Sequence, residues 1–124
     1  METKFEYIKS KIISLFNSEF VSFDYVRSKT NVMGVYLIYN HKSELVYIGN
    51  TNKFHIRFGT DLLNETTHTL VKKMINSYGF KNRPQYQEYI KYQCKYRIIC
   101  CETKHEAEAI EHFAIYLMNP PFNK

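Results

Sequence analysis

Two short segments of the sequence place tyrosines where they could do chemistry together. Gly34-Val35-Tyr36 begins one apolar run and Tyr47-Ile48-Gly49 ends the next, with the polar residues 40–43 between them. Runs rich in β-branched and aromatic residues around a polar turn predict a β-hairpin. With a loop of two or four residues, Tyr36 would lie directly opposite Tyr47, with β-carbons about 5 Å apart. Two phenols beside a glycine, where a ligand can approach the backbone closely, indicate a site rather than a core.

A carboxylate near the end of the chain is the next candidate. A capping box at residues 103–106 and the Asn-Pro-Pro sequence at 119–121 predict a helix from about residue 104 to 118. Glu111 falls on its core-facing stripe, which contains Ala107, Ile110, Ala114, Leu117 and Met118. Carboxylates are seldom buried unless paired, protonated or metal-bound. Glu111 is therefore either a boundary residue that reaches solvent or a lysine, or a ligand for a hard divalent cation such as Mg²⁺.

Three further helices would position these groups. A capping box at residues 3–6 and apolar residues at helical spacing predict a helix over residues 4–17. Asn50, Thr51 and Asn52 offer caps for a helix over 53–63, and residues 68–77 form another, with Gly79 as its stop. Residues 19–33 fit a strand, a short helix or a loop, and residues 81–84 form a basic turn.

The segment 90–100 has the clearest periodicity in the chain. Apolar residues and cysteines at even positions alternate with Lys91, Gln93, Lys95 and Arg97. This pattern predicts a long strand with one buried face, which includes Cys94 and Cys100, and one basic, solvated face. Tyrosines 86, 89, 92 and 96 could stack on bases, although packing is the simpler use. The cysteines lack a Cys-x-x-Cys knuckle and are interpreted as reduced thiols rather than a zinc site with His105.

Length and composition limit the classes of protein to which the chain can belong. The chain has 124 residues, enough for one domain with a real core, and a net charge of +5 with eleven tyrosines and nine phenylalanines. A basic, aromatic-rich domain favours a polyanionic partner. No apolar run approaches the roughly 20 residues that cross a bilayer, and the charged N-terminus does not fit a signal peptide. The three clustered cysteines suit a reducing compartment, so we expect a cytoplasmic protein without a membrane partner.

The order and approximate spacing of these motifs resemble the GIY-YIG nucleases, a family that includes homing endonucleases, restriction enzymes and repair nucleases. The resemblance covers about residues 34–123 and adds Arg57, after the hairpin, and Asn123, in Asn-Pro-Pro-Phe-Asn, to the residues above. It implies an α+β fold, a central three-stranded antiparallel sheet flanked by helices. It also implies a nuclease domain over residues 34–124, preceded by a helical extension over 1–33, within one globular unit.

The resemblance further implies divalent-metal-dependent hydrolysis of DNA phosphodiester bonds by a one-metal mechanism, with no small-molecule cofactor. Glu111 would hold Mg²⁺ or Mn²⁺, and Arg57 would neutralise the charge of the transition state. Tyr36 and Tyr47 would position or deprotonate the attacking water, and Asn123 would orient the site. Basic residues on the two middle helices would contact DNA; these are Lys53, Arg57, Lys72 and Lys73.

One position departs from the family pattern. Four residues after the arginine, where the family usually has histidine, this chain has Asp61. Asp61 could pair with Arg57 across one helical turn, or it could turn toward the cleft as a second metal ligand or a base. His55 and His68 are either substitutes for the missing imidazole or ordinary surface histidines.

Two alternatives to an active nuclease stay open at this stage. One is a catalytically weak or inactive DNA-binding module, which Asp61 favours; the other is an interaction protein whose N-terminal helix binds a partner or self-associates. Cutting both strands would need a homodimer or two sequential nicks. The composition, rich in Asn, Lys and Ile, suggests a mobile element, a phage or a low-GC microbe.

Overall fold

A three-stranded antiparallel sheet lies at the centre of the chain. The computed structural model describes residues 3–64 and 66–124, and within them the strands are β1 (Gly34–Tyr39), β2 (Leu45–Thr51) and β3 (Lys95–Cys100), in the order β2-β1-β3. Six α-helices cover its two faces in the same described residues. The predicted α+β architecture is therefore confirmed.

The hairpin register differs from the prediction. Tyr36 pairs with Gly49, and Tyr47 pairs with Ile38, so the two tyrosines are diagonal rather than direct neighbours. The hairpin loop between the paired residues Tyr39 and Leu45 has five residues, and a bulge shifts the register between Ile38 and Tyr39. An odd loop alone would put the tyrosines on opposite faces, because side chains alternate along a strand. The bulge adds one residue and returns them to the same face.

Helices α1 (Lys4–Asn17) and α6 (Lys104–Met118) cover one face of the sheet. Their predicted starts are confirmed, since Thr3 and Thr103 each accept a hydrogen bond from the backbone N–H three residues on. The core-facing stripe of α6 was predicted too long. Leu117 and Met118 are exposed because the last turn of α6 runs past the core, whose last fully buried member on this helix is Ala114.

Four shorter helices cover the other face of the sheet. They are α2 (Phe23–Arg27), α3 (Phe54–Gly59), α4 (Thr69–Tyr78) and α5 (Arg83–Tyr92). Helix α3 was predicted too long at both ends; a single 3-10 turn, Asp61–Leu63, follows it, and Lys53 precedes it without a side-chain cap. Helix α4 ends at Gly79, as predicted, where φ is +71°.

The predicted strand over residues 90–100 is wrong in its first part. Residues 83–92 form α5, capped by Asn82, whose side chain accepts a hydrogen bond from the Gln85 N–H, and this replaces the predicted basic turn. Tyr86, Tyr89 and Ile90 are buried at helical spacing. The alternation of apolar residues and cysteines at even positions from residue 90 on hid this helical pattern in the sequence.

The two faces of β3 also differ from the prediction. Cys94 is buried just before the strand, but Cys100 at its end is exposed. Arg97 is half-buried rather than solvated, since its guanidinium donates hydrogen bonds to the Ser18 carbonyl and the Tyr39 hydroxyl and stacks on Phe20. Segment 19–33, which contains α2, adds one bridge between Val21 and Tyr96 at this edge.

Candidate active site

Gly49 makes room for a buried phenol. A Cβ built on Gly49 would lie 2.5 Å from both Cζ and the hydroxyl oxygen of Tyr36, and 2.9 Å from Cε2 of Tyr47. Distances below 3.0 Å do not occur between real atoms at such a position, so a side chain at residue 49 would displace Tyr36. The rings of Tyr36 and Tyr47 are 6.2 Å apart between centroids, with Tyr36 fully buried and Tyr47 half-buried.

Arg57 reaches the same phenol from α3. Its Nη1 donates to the Tyr36 hydroxyl at 3.1 Å, and its Nε donates to Oδ2 of Asp61 at 3.2 Å. Burial opposes the charge of Arg57, but the neighbouring Tyr36 and Asp61 outweigh burial and raise its pKa. Asp61 thus contacts Nε of the guanidinium, whereas Nη1 is directed at Tyr36.

His68 completes this side of the cluster. Its Nε2 lies 3.1 Å from Nη1 of Arg57, and its ring packs edge-on against Tyr47 at 5.8 Å. Its Nδ1 accepts a hydrogen bond from the Leu70 N–H at the start of α4. Burial, followed by the nearby Arg57, lowers the pKa of His68 to about 4. The imidazole is therefore neutral at pH 7, and because Nδ1 is an acceptor its proton is on Nε2.

Glu111 approaches from the opposite face of the sheet. It projects from α6, and its Oε1 accepts a 2.7 Å hydrogen bond from Nδ2 of Asn50, next to Gly49 on the edge strand β2. Burial raises the pKa of Glu111, while Asn50, the adjacent His112 and, to a smaller extent, Arg57 act to lower it. The carboxylate in turn raises the pKa of Tyr47, so these groups share one electrostatic environment.

The donor set fits a magnesium-like cation. Among the described residues there is no cluster of three or more His, Cys, Asp or Glu side chains that could enclose a metal ion. Glu111 is instead a single half-buried carboxylate beside an amide, near a guanidinium. Mg²⁺ typically takes one or two protein carboxylates and completes its shell with water and phosphate oxygens. An open site of this kind is consistent with Glu111 as the metal ligand.

The fold is similar to that of solved structures. The N-terminal GIY-YIG endonuclease domain of UvrC from Thermotoga maritima, bound to its catalytic divalent cation magnesium, is 18% identical, covers 100% of both chains and superposes with a TM-score of 0.53. A tyrosine-to-phenylalanine point mutant of that domain gives a TM-score of 0.54 at the same identity, over 100% of this chain and 99% of that chain. The chain has the GIY-YIG fold. No protein-family model and no curated protein matches the sequence.

Asn123 binds the outer edge of the GIY-YIG sheet. Its Oδ1 accepts from the Ile48 N–H at 2.9 Å and its Nδ2 donates to the Ile48 carbonyl at 2.8 Å. The side chain thereby substitutes for a neighbouring strand between Tyr47 and Gly49. The single-turn helix Pro121–Asn123 supports it.

The two phenols of the site have raised pKa values. Burial raises the pKa of Tyr36 well above its ordinary value, and Tyr47 adds to the effect. Burial also raises the pKa of Tyr47, followed by the charge of Glu111. Both tyrosines are therefore protonated hydrogen-bonding groups at neutral pH.

The remaining candidate residues lie outside this cluster. His55 is half-buried and accepts a hydrogen bond from the Asn31 N–H, away from Arg57. Lys53 and Lys72 are exposed, whereas Lys73 donates to the carbonyls of Phe122 and Lys124 and so ties down the end of the chain. The sequence predicted only a helix-capping role for Asn50 and missed its hydrogen bond to Glu111; its position next to Gly49 was the available signal.

None of the helices in the described part of the chain has the length and apolar character needed to span a membrane.

Proposed function

We propose that this protein is a divalent-metal-dependent endonuclease that hydrolyses DNA phosphodiester bonds. The observation that carries the proposal is the position of Arg57, whose Nη1 lies 3.1 Å from both the Tyr36 hydroxyl and Nε2 of His68. Glu111 lies close enough to shift the pKa of Tyr47. The related UvrC domains are endonuclease domains that bind a catalytic divalent cation, which supports the same chemistry here.

Arg57 and His68 are proposed to bind the phosphate. Nη1–H of Arg57 and Nε2–H of His68 are two donors 3.1 Å apart, and neither can accept from the other. An oxygen of a phosphodiester could accept from both. Donors fixed before the reaction, in a site partly shielded from water, are the usual source of transition-state stabilisation in such reactions.

The tyrosines are proposed to hold the nucleophile. Tyr36 is fully buried and fixes Arg57, so Tyr47, the more exposed phenol, is the one that would orient a water molecule beside the phosphate. In the reaction the water oxygen bonds to phosphorus, the bond from phosphorus to one ester oxygen breaks, and a proton passes to that leaving oxygen. Because the pKa of Tyr47 is raised, it stays protonated in the free protein.

Glu111 is proposed to hold Mg²⁺ or Mn²⁺, with Asn50 fixing one carboxylate oxygen. When bound, the ion would supply positive charge beside the phosphate and the leaving oxygen. Asn123 is proposed to act as a positioning residue, since it holds the segment between Tyr47 and Gly49 through the Ile48 backbone.

DNA contact is proposed to involve Arg57, Lys53 and Lys72, together with the net charge of +5. Exposed lysines neutralise phosphates without reading sequence. Lys73 is better suited to a structural role, given its hydrogen bonds to the end of the chain.

The test is plasmid nicking with and without Mg²⁺, comparing the wild type with Glu111→Gln and with Glu88→Gln. Glu88 is exposed on α5 and gives a matched control for the same change of charge. We expect Glu111→Gln to lose on the order of 100-fold or more in rate and to lose Mn²⁺ binding by titration calorimetry, with Glu88→Gln unchanged. Nicking that survives Glu111→Gln, or that needs no metal, would refute the proposal.

A DNA-binding module without strong activity is the second candidate. The ion pair between Arg57 and Asp61, at 3.2 Å, favours it because the pair reduces the charge available to a phosphate. Salt-dependent DNA binding by a wild-type chain that does not nick any substrate would support this alternative.

A further inference from the structure

An apolar groove lies between α1 and α6, on the side of these helices away from the sheet. Its volume is about 320 Å³, and its walls are the side chains of Phe5, Ile8, Lys9, Ile12, Ile13, Phe113 and Leu117. Four of these are large apolar side chains that are 44 to 62% exposed, namely Phe5, Ile13, Phe113 and Leu117. Tyr116, at 83% exposed, continues the surface along α6.

The exposed apolar area of the groove is large enough to be functional. A large side chain has on the order of 200 Å² of surface, so the four half-exposed walls leave roughly 400 Å² of apolar area. The largest apolar patch on a typical monomer has about 300–600 Å² and is often functional, so this groove is a candidate interaction site. The phenols, guanidinium and carboxylate of the active site lie elsewhere, so catalysis does not explain this patch.

We infer that this groove is the interface of a symmetric homodimer. Two copies joined through it would cover roughly 800 Å² of apolar surface. Because about two-thirds of a homodimer interface is apolar, the total would be roughly 1,200 Å², the lower end of specific interfaces.

Only the functional consequence of the dimer rests on the proposed function: two active sites in one particle can cut both DNA strands in a single encounter. One copy has one Arg57 and one Glu111, and so cuts one strand at a time. Dimerisation itself does not depend on the chemistry, so it can fail or succeed independently of it.

Sedimentation velocity tests the interface, with the wild type, Leu117→Asp and Tyr92→Asp measured over a range of concentrations. Tyr92 is 73% exposed on α5, outside the groove, and is the matched control. We expect the wild type and Tyr92→Asp each to form a dimer with a dissociation constant on the order of 10 µM, because the interface is small. Leu117→Asp places one charge from each copy in the interface, so we expect at least about a 100-fold weaker association.

Circular dichroism checks that Leu117→Asp folds, which its exposed position favours. A nuclease assay supplies the second readout: the variant should nick at the wild-type rate but lose direct linearisation of the plasmid. A wild-type chain that remains monomeric at roughly 100 µM, or a Leu117→Asp variant that associates as strongly as Tyr92→Asp, would overturn the inference.

Discussion

Replacing Gly49 with alanine should damage the site through sterics alone. The new methyl group would lie 2.5 Å from the hydroxyl and Cζ of Tyr36. Tyr36 cannot retreat, because it is fully buried and packs against Phe54 and Phe58 at centroid distances of 6.5 and 5.2 Å. Overpacking of this kind costs about 1–3 kcal/mol. We therefore expect Gly49→Ala to lose about 2 kcal/mol of unfolding free energy, together with the contact between Tyr36 and Arg57.

Urea unfolding and plasmid nicking measure the two consequences separately, with Gly79→Ala as the control. Gly79 has φ of +71° and no neighbour within 4 Å of a built Cβ, so alanine there costs about 1 kcal/mol of backbone strain. Both variants should be less stable, but only Gly49→Ala should lose activity, by at least about tenfold, the factor that 1.4 kcal/mol of transition-state stabilisation represents. Equal activity of the two variants under conditions where both are folded would refute the steric reasoning.

Three further substitutions test single contacts. In His68→Asn the new side chain keeps an acceptor for the Leu70 N–H. Because the folded pKa of His68 is about 4, the wild type should lose at most about 3 kcal/mol of unfolding free energy relative to His68→Asn as pH falls from 7 to 4. A difference in urea unfolding that is equal at both pH values would contradict this. Asp61→Asn removes the negative charge beside Arg57, so fluorescence anisotropy should show tighter DNA binding by a few-fold; weaker binding would exclude the inhibitory role of the pair. Asn123→Ala leaves the Ile48 N–H and carbonyl without their partner, which should cost about 1–3 kcal/mol and accelerate amide exchange at Ile48; continued protection of that amide would contradict it.

Elements with local signals were predictable from the sequence. Helices α1 and α6 begin at capping threonines, and α4 ends at a left-handed glycine, all of which depend on neighbours within four residues. Helix α5 was missed because Ile90, Tyr92 and Cys94 continue the alternation of β3 backwards into a helix. The Asn82 cap and Pro84 in the first turn were the competing local signals, and they prevailed.

The site was predictable only in part, because its geometry depends on contacts that are distant in sequence. The direct pairing of Tyr36 with Tyr47 failed since loop length and a bulge together set the register. Nothing local distinguishes His68 from His55; the two differ only because α4 brings one against Arg57, while the other meets Asn31. Asn50 likewise becomes a partner of Glu111 only once α6 packs on the sheet.

The edge strand explains why groups from both faces of the sheet can meet. Tyr36, Tyr47, Arg57 and His68 lie on the face covered by α3 and α4, whereas Glu111 comes from α6 on the other face. A side chain at residue 49 would occupy the space into which the phenol of Tyr36 extends. Since β2 is an outer strand, the groups on its two sides can approach each other around its edge without crossing the sheet. The requirement for glycine at residue 49 follows from the crowding of Tyr36 and Tyr47 on one face of the strand, and Asn123 holds the same edge in place from outside.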